Sequence, residues 1–316
     1  MCHLSREKKT DFDRIKDMVL RIKDDGSLSS IDSDITNIYA EQTLYKLTSF
    51  NYYQYVYCQV MKNQKKSWLK KCYYIDLMAG SGLTKILDRN IFACGSSVLA
   101  AKNSLRAGGV FDKIICVELD EERAKTLEKR MHLVYPPEKV VVINDAAENV
   151  IPSIIDEIRG DGVHFLACVD YQNTQGPGFD DISPLLKMRG DAMMTFMVQA
   201  LWRAIGQSTT GGMGNCEAIH RYLGNGCDEW REAKTESDLL SIYCDLIREC
   251  DRTVVPVNIK SENSGFHFHT CFSCKNKKSG SPYLQAAIDL DKFYTNKPDI
   301  LRIILDNIEN KQQTLF

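Results

Sequence analysis

"YYIDLMAGSG", residues 73–82, is the stretch from which the rest of the chain can be read. An apolar run stops on an acid, Asp76, and two glycines, Gly80 and Gly82, follow. A short apolar run bounded by turn signals is the pattern of a strand buried on both faces. Glycine supplies positive φ for the turn that follows and lets a ligand approach the backbone. The stretch predicts a central strand, a tight turn and a crevice at the strand's carboxyl end.

Working outward, strand-length apolar runs recur at "KIICVEL", "KVVVIN", "HFLACVD", "AMMTFMV", "TVVPVNI" and "FHFHTCFS". Helical patterns separate the early ones. "SSVLAAKNSLRAG" has Ser at its expected N-cap and Gly past its end, and "DEERAKTLEKRMHLV" begins at a capping Asp120. Apolar strands alternating with helices predict an α/β fold, a doubly wound, mostly parallel sheet covered on both faces. Residues 1–70 are expected to form an N-terminal helical segment on that core, and residues 71–203 the core itself. Residues 204–250 read as a helical insertion, and residues 251–316 as the last strands and C-terminal helices. The tyrosines of residues 36–61 are expected to be packing residues on a helix. "SPYLQAAIDLDKFY" and "KPDILRIILDNIE" read as helices with Pro near each start.

With 316 residues, 44% hydrophobic and 26% charged, the chain has ample material for a large core. A formal net charge of −2 gives no global attraction to nucleic acid or anionic lipid, so such a partner needs a local patch. No apolar stretch reaches the roughly 18–20 residues that span a bilayer. "MCHLSREKKTDFDR" has no apolar core of a signal peptide, so the 12 cysteines are expected to be reduced and the protein cytoplasmic.

The glycine turn is compatible with several ligands. "GSGLTK" lacks the G-x-x-x-x-G-K-[ST] of a P-loop. A dinucleotide fingerprint wants a third glycine where Lys85 stands, and its pyrophosphate would lie unfavourably near Asp76. S-adenosylmethionine carries an ammonium and a sulfonium and no phosphate, which suits a carboxylate at the strand end. The later strands also end in acids: Glu118, placed for ribose hydroxyls, with Leu119 beside it; Asp145, placed for an adenine amino group beside the backbone of Ala146; and Asp170, where a reacting group would lie. The 36 residues from Gly82 to Glu118 exceed the ~20 of a simple unit, which predicts a second helix in that connection.

On these residues the sequence resembles Rossmann-type S-adenosylmethionine-dependent methyltransferases and, more narrowly, the three-Cys-motif partner protein family. The resemblance covers residues 39–294 through "YIDLMAGSG", "GSSVLAA", "CVELD", "FLACVDYQ", "RGDAMMTF", "RYLGNGCDEW" and "SIYCDLIREC". It implies that Asp76, Gly80 and Gly82 line the methionine end of the cofactor, that Glu118 meets ribose and Asp145 adenine, and that Ala79, Ser81, Leu119 and Ala146 also contact the cofactor. It also implies a three-Cys-motif companion protein as a partner. The family's usual Asp-Pro after the fourth strand is Asp170-Tyr171 here.

Amino-directed methyltransferases carry Asp/Asn-Pro-Pro-aromatic at this point, a motif that positions the amine. "DYQN" keeps an acid, an aromatic and an amide, so Asp170 is expected to orient an acceptor and Tyr171 to stack on it or border it. The alternative is that Asp170 contacts only cofactor or caps the next turn. No cysteine follows a proline, which argues against cytosine C5 methylation. In "HFHTCFSC", His267, His269 and Cys271 alternate on one strand and Cys274 follows, a pattern read first as packing, with a metal site as the alternative. "MKNQKKSWLKK" gathers Lys62, Lys65, Lys66, Lys70 and Lys71 around Trp68, either a solvated helix end or a grip for nucleic acid. Two functions follow: a methyltransferase with an unidentified acceptor, nucleic acid or an amino nitrogen among them, or a methyltransferase-fold adaptor for a companion protein.

Overall fold

The computed structural model describes residues 11–87, 89, 91–172, 176–208, 213–260, 267–275 and 281–296. In chain order the elements are α1 (Asp11–Ile22), β1 (Asn37–Tyr39), α2 (Gln42–Gln64), β2 (Lys71–Asp76), β3 (Leu83–Ile86), β4 (Phe92–Cys94) and α3 (Ser96–Arg106). Then come β5 (Lys113–Val117), α4 (Glu121–Val134), β6 (Val140–Ile143), α5 (Ala147–Ile158), β7 (Val163–Val169), α6 (Phe179–Leu186) and β8 (Gly190–Phe196). The remainder is α7 (Val198–Ser208), α8 (Met213–Leu223), α9 (Glu236–Glu249), β9 (Arg252–Lys260), β10 (His267–Lys275) and α10 (Pro282–Asn296).

A seven-stranded sheet has the order β6-β5-β2-β7-β8-β10-β9, parallel except for β10, which pairs antiparallel with both β8 and β9. The fold is the expected α/β, doubly wound and mostly parallel. Its middle strands are buried on both faces, as their unbroken apolar runs require. The helices pack in two series, α4-α3-α2-α10 and α5-α6-α8-α7-α9, one on each face. One apolar core runs through both layers, from Val19 on α1 to Tyr294 on α10. The tyrosines of α2 are core: Tyr53 stacks on Phe272 with ring centroids 4.7 Å apart, and Tyr57 lies 6.0 Å from Phe111.

Two expectations change. The long connection after Gly82 holds no second helix; it holds β3 and β4, which pair with each other, while β3 also pairs parallel with β1 from the N-terminal arm. Short β segments there gain their ladder from a strand more than forty residues earlier, a partner local reading cannot see. Ser96 does not cap α3, whose N-cap is Gly95; Ser96 and Ser97 turn inward instead. Asp120 does cap α4, accepting from the Arg123 N–H at 2.8 Å. "KPDILRIILDNIE" lies outside the described residues.

Candidate functional site

Strand order reverses at β2, so the loops after β2, β5, β6 and β7 diverge and leave a crevice at the carboxyl edge. A cavity of about 760 Å³ occupies it, within the size range of small-molecule sites. The loop after β2, Leu77 to Gly80, lines one wall; Glu118, Leu119, Asp145, Ala146 and Asp170 line others. Asn37 and Tyr39 come from β1, Lys46 from α2, and Glu217 and Arg221 from α8.

Asp76 is not on the cavity wall. Its carboxylate is fully buried beneath it, accepting from Ser96 Oγ at 2.6 Å, Ser97 Oγ at 2.7 Å and Tyr74 OH at 3.3 Å. Burial pushes its pKa up to about 6 against the pull of the two serine hydroxyls. The idea that Asp76 itself faces a cationic ligand is therefore corrected: it ties the glycine turn to the start of α3. Gly80 does line the cavity, at φ +62°, and its N–H donates to Glu118 Oε2 at 2.8 Å. Ala79 also lines it, its N–H held by the Val117 carbonyl at 2.9 Å. Ser81 and Gly82 lie outside the lining. Ser81 Oγ donates to the Leu83 carbonyl, and Gly82, at φ +75°, serves packing: a Cβ there would meet Leu127 Cδ1 at 2.8 Å.

Glu118 is buried at the edge of the cavity. Gly80 N–H donates to one carboxylate oxygen and Asp120 N–H to the other, at 3.1 Å. Each oxygen thus keeps a lone-pair site for a ligand. Leu119 beside it is 72% exposed, an apolar surface at the cavity rim. Asp145 is exposed; the Asn149 amide and the Ala146 N–H donate to its Oδ1 and hold its pKa below the usual carboxylate range.

Asp170 lines the cavity, but its carboxylate is engaged by Lys46 Nζ, Thr195 Oγ1 and the Gln172 amide. The expectation for Tyr171 is corrected: it does not border the cavity. Its ring is buried 4.8 Å from that of Tyr222, and its hydroxyl donates to the Pro177 carbonyl at 2.6 Å. Tyr39 takes an aromatic place on the wall instead. Burial, then the negative charges of Asp170 and Glu118, push its pKa up to about 12.

Sequence reading missed the N-terminal contribution. Fully buried Arg130 on α4 donates to the carbonyls of Leu28, Ile31, Asp32 and Ile35 in the arm and of Ser81 in the glycine turn. That clamp holds β1 beside Gly80, and the buried Oδ1 of Asn37 in this wall has no hydrogen-bond partner. A lysine among the buried residues of "LYKLTSF" was the one sequence signal for Lys46.

The other two clusters lie elsewhere. His267 pairs with Glu236 at 2.6 Å and meets the Gln199 amide, while Cys271 and Cys274 are buried in the sheet. Among the described residues no group of three or more His, Cys, Asp or Glu side chains could hold a metal ion. Residues 62–70 precede β2 and Lys71 opens it, so they lie at the sheet's amino edge, about 20 Å along the strand from the cavity. Lys62, Lys66, Lys70 and Lys71 are exposed, but Lys65 pairs with Asp112 and the Trp68 ring is covered by the Arg189 guanidinium at 3.9 Å. Among the described residues no helix is long and apolar enough to cross a membrane.

No protein-family model matches the chain, and no curated protein matches it. Many solved structures match the chain in a comparison of folds. A protein of Legionella pneumophila is 10% identical, with 78% of this chain and 91% of that one covered and a TM-score of 0.44. The O-methyltransferase TomG of Streptomyces achromogenes, solved with S-adenosylmethionine, is 12% identical, with 85% and 100% covered and a TM-score of 0.42. An O-methyltransferase of Bacillus cereus, solved with S-adenosylhomocysteine, is 10% identical, with 85% and 93% covered and a TM-score of 0.41. Identities and scores this low say nothing of what this chain binds.

Proposed function

We propose that the cavity binds S-adenosylmethionine and that the protein is a methyltransferase. The observation that carries this reading is the half-occupied Glu118 carboxylate. One backbone N–H fixes each oxygen, and the two remaining acceptor sites sit side by side, as the vicinal hydroxyls of a ribose require. Three further features support it. Asn37 Oδ1 is a buried acceptor without a partner in the wall beside Gly80, suited to an ammonium donor. Leu119 offers an apolar surface next to Glu118, and Asp145 lies beyond it for an amino group. The antiparallel β10 between β8 and β9 departs from the 3-2-1-4-5-6 order of dinucleotide-binding sheets.

When bound, the cofactor would supply an electrophilic methyl on a positive sulfur. The chain's part is to hold the nucleoside through Glu118, keep the glycine turn rigid through Asp76, and enclose the reacting end with Tyr39, Lys46 and Asp170. An acceptor within nucleic acid would have to approach the carboxyl edge, since the exposed lysines of residues 62–71 lie at the other. A second reading, an adaptor for a three-Cys-motif companion, is favoured by one observation: the two residues expected to handle an acceptor, Asp170 and Tyr171, are already engaged.

Calorimetric titration with S-adenosylmethionine tests the cavity. Binding to the wild type and a loss of about ten- to a hundredfold in Glu118→Ala are expected, the worth of one charge-assisted hydrogen bond. No binding, or equal binding by the variant, would overturn the assignment. Transfer of labelled methyl to a cell extract then separates enzyme from adaptor.

A further inference from the structure

At the reacting end of the cavity, Lys46 Nζ lies 2.8 Å from Asp170 Oδ1 and 2.7 Å from Oδ2. Thr195 Oγ1 donates to Oδ1 at 2.6 Å, and the Gln172 amide donates to Oδ2 at 3.1 Å. A carboxylate offers about four lone-pair sites, and here four donor contacts meet them. Asp170 therefore cannot also take the hydrogen bonds of an amine without losing one of these donors. The lysine and aspartate side chains are only 4% and 12% exposed, and the rings of Tyr39 and Phe268 flank the ammonium at 5.8 and 6.0 Å.

An enclosed ion pair adds little stability over apolar side chains of the same volume. Its electrical consequence is definite, however. Together the pair presents almost no net charge to the cavity, whereas either member alone would present a full one. A lone carboxylate beside a sulfonium would stabilise the charged ground state, which slows a reaction that removes charge from sulfur.

Resting on the reading of the cavity given above, we infer that Lys46 is a positioning residue that cancels the charge of Asp170 and so keeps discrimination between S-adenosylmethionine and S-adenosylhomocysteine weak. The two nucleosides differ in the methyl group and its positive charge on sulfur, so their affinity ratio reads the local field directly. Lys46→Met exposes the carboxylate and raises that ratio about tenfold, the effect of one unit charge roughly 10 Å away at an effective dielectric of about 20. Asp170→Asn leaves the ammonium uncompensated and lowers the ratio by a similar factor. Lys46→Met combined with Asp170→Asn returns it to within about twofold of wild type, and Lys46→Arg, which keeps the charge, does not move it.

Titration calorimetry of both nucleosides into the wild type and these variants is the test. Opposite shifts in the two single variants, restored in the double, are the expected result; a merely structural role would weaken both nucleosides alike. Ratios that stay constant, or move in the same direction in both single variants, overturn the role of Lys46 and leave the cavity assignment standing. A wild type that binds neither nucleoside overturns both. Should Lys46→Met fail to fold, Asp170→Asn against Lys46→Arg still gives the answer: the inference falls unless the first lowers the ratio and the second leaves it unchanged.

Discussion

Replacing Arg130 with Met should release the N-terminal arm from the glycine turn. The guanidinium makes five hydrogen bonds: Nε to Leu28 at 3.2 Å, Nη1 to Ile35 and Ser81 at 2.9 Å each, and Nη2 to Ile31 at 2.7 Å and Asp32 at 3.3 Å. The carbonyls of Ile31, Asp32 and Ile35 belong to partly exposed or exposed residues and can turn to water. Those of Leu28 and Ser81 are in fully buried residues and would stay dry. Two stranded carbonyls, at about 1.5–3 kcal/mol for each lost charge-assisted bond, give about 3–6 kcal/mol. Relief from burying the cation offsets part of this, leaving about 3–5 kcal/mol, a large fraction of a typical 5–15 kcal/mol domain stability. Urea denaturation measures the loss, and amide exchange locates it. Faster exchange confined to residues 24–39 and 80–87 would mean that the arm detaches while the sheet holds. Arg130→Lys should recover only part, because an ammonium has three donors and no planar fork. A loss below about 0.5 kcal/mol with unchanged exchange in the arm would refute the clamp.

Two further outcomes follow from buried features outside the cavity's wall. Asp191 is buried with Oδ2 unpartnered, because Arg252 gives its donors to the carbonyls of Leu186, Gly190 and Ser273 and to Ser273 Oγ; burial pushes the carboxyl pKa up to about 7. The folded state then holds a proton that the unfolded state releases near pH 4, so this contribution is present below about pH 4 and is lost as pH rises through about 7. Asp191→Asn should flatten that decline and be the more stable form at pH 8, by up to about 4 kcal/mol; parallel stability–pH curves would contradict it. Gly82→Ala should cost about 2–4 kcal/mol, from positive φ and from a Cβ driven onto Leu127. Gly108→Ala, at φ +97° with open space around it, should cost only the conformational part, about 1–2 kcal/mol. Equal losses would show that packing at Gly82 is unimportant.

What local sequence could reveal was whatever local physics determines. β2, β5, β7 and β8 are apolar runs because both their faces are covered, and the period of α4 is written in fourteen consecutive residues directly after its Asp120 cap. The acids after the strands were legible as acids; their orientations were not. Asp76 and Asp170 were both expected to face a ligand, but Ser96, Ser97, Lys46 and Thr195 claim their oxygens from 20 to 124 residues away. The β1–β3 pairing and the Arg130 clamp are likewise long-range, and neither leaves a periodic trace.

The arm held by Arg130 also bears on the order in which the molecule can be assembled. During synthesis, residues 28–39 emerge about a hundred positions ahead of the arginine that receives them, and about fifty ahead of β3. β1 can pair with β3 once that strand is made, but the carbonyls of residues 28–35 have no Arg130 donor to accept from until α4 exists. Such long sequence separation slows closure. It also ties one wall of the crevice to a helix made about a hundred residues later than the wall itself.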